Sequence, residues 1–179
     1  MTRFNSEEVL QMAQQIERNG QRFYTRAAEI VSDESAIQIL NELAIWEERH
    51  EAIFAAMRET VNLQKVEEQT WMDSDGEAER YLLSLADSKV FMQDVPVEEL
   101  IPPDSGVDQI FKLALANEKE SIVFYSALRK AVPPALGAEK VDAIIEEELK
   151  HVRILNRERE RAADRPATGR YDKLATPEN

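Results

Sequence analysis

Residues 44–54 read AIWEERHEAIF, and residues 144–155 read IIEEELKHVRIL. The chain has two histidines, His50 and His151, and these stretches hold one each. Each histidine follows a glutamate by three positions, Glu47 and Glu148. On a helix, side chains three apart share a face, about 5–6 Å between Cβ atoms, so both members of a pair can reach one ligand. The apolar residues around them recur at three- and four-residue steps, as the buried face of a helix does. Both pairs therefore occupy positions where core residues are expected. A carboxylate there is costly unless it is paired or bound to a metal.

Working outward, four long helices organise the chain. The first runs from about Ser6 to Val31, with Asn5 as its cap and Glu8 in the reciprocal capping-box position. Its stripe is Leu10, Ala13, Tyr24, Ala28 and Val31, interrupted by Glu17. Ser32 and Asp33 can cap the second, which reaches about Gln64 through Ile37, Leu40, Leu43, Phe54, Met57 and Val61, interrupted by Glu47 and His50. A long connection follows. Within it GEAERYLLSLADSKVF (76–91) reads as a short helix and QDVPVEELIPPDSG (93–106) as loop, its prolines setting the turns. The third helix runs from about Gly106 to Ala131, with Ser105 and Asp108 as candidate caps, and stops at Pro133-Pro134. Along it Phe111 and Ala114 lead to Glu118. The fourth spans about Ala138 to Ala163, and Val141 and Ile144 lead to Glu148 and His151. Residues 1–163 thus read as one all-α four-helix bundle with a long crossover between its second and third helices. Residues 164–179, DRPATGRYDKLATPEN, have too little apolar content to pack and are expected to form a flexible tail.

Composition agrees with that class and excludes others. Hydrophobic residues make up 43% and charged residues 32% of 179, with few glycines and no Val/Ile/Thr-rich alternation, which argues for helix over sheet. A net charge of −13 repels phosphate backbones, so no nucleic-acid partner is expected. No apolar run approaches a membrane span. The start, MTRFNSEEVL, lacks a basic-then-apolar signal, so a cytoplasmic location is expected. There is no cysteine, which excludes disulfides, thiolate metal sites and iron–sulfur clusters.

An internal repeat ties the anomalous positions together. Adding 101 to Glu17, Glu47 and His50 gives Glu118, Glu148 and His151. The same shift takes Phe23-Tyr24 to Phe124-Tyr125, Ala13 to Ala114 and Ile53 to Ile154. A fixed period of this kind is a fold-level signal. The repeat supplies four carboxylates and two imidazoles, and two divalent cations would balance the four negative charges in a low-dielectric core. No Lys or Arg occupies an equivalent place in the stripes. Oxygen and imidazole donors suit iron or manganese, and also zinc. One Glu from each of two helices and a Glu-x-x-His from each of the others is the ligand pattern of ferritin-like di-iron bundles.

MAQQIERNGQRFY (12–24), LNELAIWEERH (40–50), LALANEKESIVFY (113–125) and IIEEELKH (144–151) resemble the four helices of the rubrerythrin branch of the ferritin-like superfamily. The resemblance covers about residues 6–160 and implies a bridged centre of two iron ions that reacts with hydrogen peroxide or dioxygen. Its ligands would be Glu17, Glu47, His50, Glu118, Glu148 and His151. Two departures stand out. Full rubrerythrins usually carry a rubredoxin-like domain with four cysteines, so here electrons would come from a separate donor protein. They also tend to have a second glutamate three residues after the third-helix ligand, where this chain has Ser121. The resemblance further implies a homodimer or higher oligomer, and Tyr81–Phe91, with Leu82, Leu83, Leu85 and Val90, would supply apolar surface for it.

Blander readings stand beside these. A lone Glu-x-x-His in an acidic helix is usually a solvated pair. Tyr24 and Tyr125 lie two turns after a single Glu and could hydrogen-bond ligand carboxylates, or be plain core aromatics. Trp46 and Trp71 read as packing residues rather than electron relays. Glu48, Glu51, Glu146 and Glu147 are expected to face solvent or a neighbouring chain. Three functions follow: a peroxide reductase or ferrous oxidase; a non-catalytic iron-binding or storage protein; or a bundle whose metal is structural. Six protein ligands over two metals leave positions open, which disfavours the third.

Overall fold

The computed structural model describes residues 6–63, 96–132 and 134–164. They form α1 (Ser6–Ile30), α2 (Glu34–Leu63), a one-turn α3 (Val97–Leu100), α4 (Val107–Ala131), a 3-10 turn (Pro134–Leu136) and α5 (Ala138–Asp164). No strand occurs among the described residues. The four long helices match the expected ones to within a residue or two at each end. Asn5, the expected helix over 76–91, Trp71 and the apolar surface of Tyr81–Phe91 lie outside the described residues, as does the tail beyond Asp164. Asp164 itself still belongs to α5.

Local chemistry sets the helix ends. Asp33 Oδ1 accepts the backbone N–H of Ala36 at 2.9 Å, the bond of an N-cap to the third helical residue. The same oxygen accepts from Arg161 of α5 at 2.8 Å, and Arg161 also donates to Glu158 at 2.5 Å. The α1–α2 turn is thereby tied to the end of α5. At α4 the expectation needs correcting: the cap residue is Gly106, in extended backbone, and no side chain caps it. Asp108 pairs instead with Lys112 one turn on (2.7 Å) and with Arg159 of α5 (2.7 Å). The segment 93–106 is not all loop either, since Val97–Leu100 closes one helical turn after Pro96, whose fixed φ suits a helix start. α4 stops where Val132 turns extended before the two prolines. Gly137, at φ +94°, makes the left-handed turn into α5.

α1 packs along α2, and α4 along α5. The core is divided in two. One apolar cluster joins the start of α1 (Leu10, Ala13), the end of α2 (Phe54, Met57), the end of α4 (Tyr125, Leu128) and the start of α5 (Val141, Ile144). The other joins the end of α1 (Phe23, Ala27), the start of α2 (Leu40, Leu43), Ile101, the start of α4 (Ile110, Phe111) and Leu155 of α5. α1 and α5 therefore run one way, and α2 and α4 the other. Between the end of α2 and the start of α4 the chain must travel from one end of the bundle to the other. Two stripe residues sit a position off the expected face: Ala27 and Ala36 are buried, while Ala28 and Ile37 are only partly so.

Candidate metal centre

A belt of charged side chains lies between the two apolar clusters. Glu17 comes from α1, Glu47 and His50 from α2, Glu118 from α4, and Glu148 and His151 from α5; none is more than 5% exposed. The structure brings all six together. Ligand atoms of Glu17, Glu47, His50 and Glu148 lie within 4.8 Å of one another, and so do those of Glu47, Glu118, Glu148 and His151. Glu47 and Glu148 belong to both groups. Each group takes three residues from one helical hairpin and borrows one glutamate from the other.

The histidine rings stack, with centroids 5.7 Å apart at 25°. His50 Nδ1 faces Glu148 Oε1 (3.0 Å) and Glu17 Oε2 (3.7 Å). His151 Nδ1 faces Glu148 Oε2 (2.9 Å), Glu118 Oε1 (3.5 Å) and Glu47 Oε1 (3.6 Å). Both tyrosines reach across the hairpins. Tyr24 of α1 donates to Glu118 of α4, and Tyr125 of α4 donates to Glu17 of α1. The tyrosine bond on Glu17 Oε1 leaves Oε2 on the histidine side.

Electrostatics follow from four carboxylates in a dry place. Burial, then Glu148 and Glu17, push Glu47 well above the usual carboxylate range. Burial, then Glu148, push Glu118 up to about 8. Burial also opposes ionisation of Glu148, but His151 and His50 beside it outweigh that and hold it below its usual value. Burial disfavours charge on the histidines, yet Glu148 and Glu17 raise His50 to about 11, and Glu118 and Glu148 raise His151 to about 9. Burial, then the nearby glutamates, raise both tyrosines, so they remain donors. At neutral pH, protons on the histidines and on Glu118 thus offset part of the carboxylate charge that cations would otherwise offset.

Those protons do not complete the pairing. One atom each of Glu17 (Oε2), Glu47 (Oε1), His50 (Nδ1) and Glu148 (Oε1) is buried without a hydrogen-bond partner. Such atoms are rare in folded proteins, and four converging ones fit a cation better than they fit each other. Oxygen and imidazole donors, two shared carboxylates and, among the described residues, no Lys or Arg paired with the six suit a pair of divalent ions.

Some neighbours of the centre were not visible as such in the sequence. Gly20 lies one turn after Glu17, and a Cβ there would come within 2.7 Å of Glu47 Oε2, so only glycine lets that carboxylate lie against α1 unmoved. Glu147 and Glu51 do not simply face solvent. Glu147 Oε2 lies 2.7 Å from His50 Nε2, and Glu51 accepts from buried Gln14 (2.8 Å) and from Arg18 (2.7 Å). Glu48 and Glu146 are exposed as expected. Trp46 packs against both histidine rings, at 6.4 and 6.1 Å, with Arg49 over it at 5.1 Å. No signal in the sequence singled out Glu147: the offset pairs it with Trp46, but Ile45 with Glu146, Glu48 with Leu149 and Glu51 with Val152 change as sharply.

No family model matches the chain, and no curated protein matches it. Among solved structures it is similar to a Thermotoga maritima protein provisionally described as a ferritin-like diiron-carboxylate protein, whose crystal structure was determined at 2.30 Å. The TM-score is 0.65 at 23% identity, over 90% of this chain and 99% of that one. The chain has the ferritin-like helical-bundle fold, and its buried carboxylate and histidine cluster fits a dinuclear metal site. Among the described residues no helix is long and apolar enough to cross a membrane.

Proposed function

We propose that the protein is a rubrerythrin-like di-iron oxidoreductase that reacts with hydrogen peroxide or dioxygen. The observation that carries this reading is the pair of four-residue groups with their unpartnered buried atoms. Glu17, Glu47, His50 and Glu148 would hold one iron, and Glu47, Glu118, Glu148 and His151 the other. Held there, two ferrous ions would supply the two electrons that reduction of an O–O bond needs. The chain's own residues do the rest. Tyr24 and Tyr125 orient Glu118 and Glu17 by donating to one oxygen of each. The apolar clusters on either side keep bulk water from the belt. Ser121, buried one turn after Glu118, stands where the rubrerythrin pattern has a further carboxylate. Less anionic charge there favours the reduced state, and with it easy re-reduction. The same reading has the protein work in the cytoplasm as a homodimer or higher oligomer, with electrons from a separate donor protein.

The second reading is an iron-binding or storage protein, favoured by the missing carboxylate at Ser121. Anaerobic loading with ferrous iron, followed by separate challenge with dioxygen and with hydrogen peroxide, separates the two. Two irons per chain and a near-ultraviolet absorbance change with either oxidant are expected. Loading without any absorbance change would leave passive binding as the better account.

A further inference from the structure

The two candidate metal positions hold the same ligand types, yet the groups behind their histidines differ. His50 Nε2, the nitrogen turned away from the belt, meets Glu147 Oε2 at 2.7 Å. A carboxylate only accepts, so Nε2 keeps its proton, and Nδ1, which faces Glu17 and Glu148, is the nitrogen a cation would take once its own proton is released. The 101-residue offset carries Glu147 onto Trp46. Trp46 is also what stands against His151, edge-on at 66°. An indole offers no acceptor lone pair. Among the described residues, the carboxylates around His151 all lie at Nδ1.

A second asymmetry is independent of the first. Glu17 and His50, which belong to the first group alone, each carry a buried unpartnered atom. Glu118 and His151, which belong to the second alone, carry none: Glu118 takes the Tyr24 hydroxyl, and His151 Nδ1 hydrogen-bonds Glu148. Of the ligands not shared between the groups, the unpartnered ones are both at the His50 position, where Nδ1 lies 3.0 Å from Glu148 Oε1.

We infer that Glu147 is a positioning residue that makes the two metal positions unequal, so that the His50 position takes a divalent cation first and more tightly than the His151 position. The inference rests on the dinuclear reading of the belt. An anionic acceptor behind an imidazole fixes the ring and makes its other nitrogen a stronger donor, and losing such a partner costs about 10–100-fold in metal affinity. The Glu147 side chain is 28% exposed, so replacing it opens no cavity in the core.

The test is a titration of metal-free protein with cobalt(II) alone, read by its visible absorption bands, with equilibrium dialysis for stoichiometry. Wild type is expected to bind two cobalt ions in two resolved steps. Glu147→Leu weakens the first step about 10–100-fold and leaves the second unchanged, while Glu147→Gln, which keeps an acceptor oxygen without the charge, falls between. In Glu17→Ala the step sensitive to Glu147 is the one missing. Circular dichroism of each metal-free variant reports folding separately. Two equal steps in wild type, equal weakening of both steps by Glu147→Leu, or no weakening of either would overturn the inference. A wild type that binds no cobalt would overturn the dinuclear reading itself.

Discussion

Laid over one another by the 101-residue offset, the α1–α2 and α4–α5 hairpins agree from the centre outward for some distance. Their glutamates and histidines coincide, and so do Tyr24 and Tyr125, each donating to the other hairpin's single glutamate. Even a peripheral ion pair repeats: Arg58 with Glu7 (2.5 Å) becomes Arg159 with Asp108 (2.7 Å). The two hairpins diverge within a turn of the ligands. Gln14, Gly20, Trp46 and Glu51 correspond to Leu115, Ser121, Glu147 and Val152. Positions that must gather charge in an apolar core are held identical, because any one of them left uncompensated is costly. Positions that only support them are free to differ, and those differences are what can make two like metal sites behave unlike each other.

The sharpest way to break the comparison is to remove a residue that both groups share. Glu47→Ala and Glu148→Ala should each abolish both metal positions, losing more than about 100-fold in affinity, because each takes a direct donor from both groups. Glu17→Ala and Glu118→Ala should each remove one position and spare the other. Metal content by elemental analysis after dialysis distinguishes zero, one and two ions per chain. One ion retained in Glu148→Ala would mean that the glutamate is not shared.

Gly20 and Ser121 should separate next. Gly20→Ala displaces the Glu47 carboxylate, so both metal-binding steps should weaken about tenfold or more. Metal-free stability should change little, since the helix gains about 1 kcal/mol of propensity while Glu47 shifts. Ser121→Ala should alter neither step by more than a few-fold. Calorimetric titration with zinc, beside thermal melts without it, measures both effects.

Acidity gives a smaller effect, with a definite sign. Without metal, the raised histidines and raised glutamates mean that the folded chain binds more protons than the unfolded one. The histidine contribution is complete below 6.5 and lost as pH rises through about 9 for His151 and about 11 for His50. The Glu118 contribution fades as pH climbs from 4.5 through about 8. The lowered Glu148 works the other way, its stabilisation being lost only as pH falls below 4.5. The metal-free melting midpoint should therefore fall between pH 6 and pH 10. Metal requires the deprotonated ligands, so the loaded protein should show the opposite trend, and loading at neutral pH should release protons. A metal-free midpoint that rises over this range would contradict the assignment of charge in the belt.

The peripheral pair gives the smallest contrast. Arg58 also donates to buried Gln14, whereas among the described residues Arg159 pairs with Asp108. Arg58→Ala should cost about 1–2 kcal/mol in denaturant unfolding, and Arg159→Ala less than about 1.

These contrasts also mark what the sequence could and could not reveal. Helix periodicity and proline punctuation placed α1, α2, α4 and α5, since amphipathic stripes and helix stops are local chemistry. The six belt residues stood out because ionisable groups in an apolar stripe are anomalous, and because the offset repeated the anomaly. What stayed hidden depends on geometry between elements. The contact of Gly20 with Glu47 crosses from α1 to α2, and that of Glu147 with His50 from α5 to α2. Glu147 lay in a run of three glutamates, where nothing local distinguishes the one that turns inward. The cap of α4 failed for a related reason: Asp108 is drawn to Arg159, a partner 51 residues away.

The exchange of glutamates between hairpins has a consequence in time. Each hairpin has a short connection, so its own contacts are local and quick to form. Neither can assemble a complete group of four, because Glu148 must come to Glu17, Glu47 and His50, and Glu47 must come to Glu118, Glu148 and His151. A cation is thus a rivet set only after the hairpins have docked. It leaves the speed of their formation untouched and acts on how long they stay together, slowing unfolding rather than hastening folding.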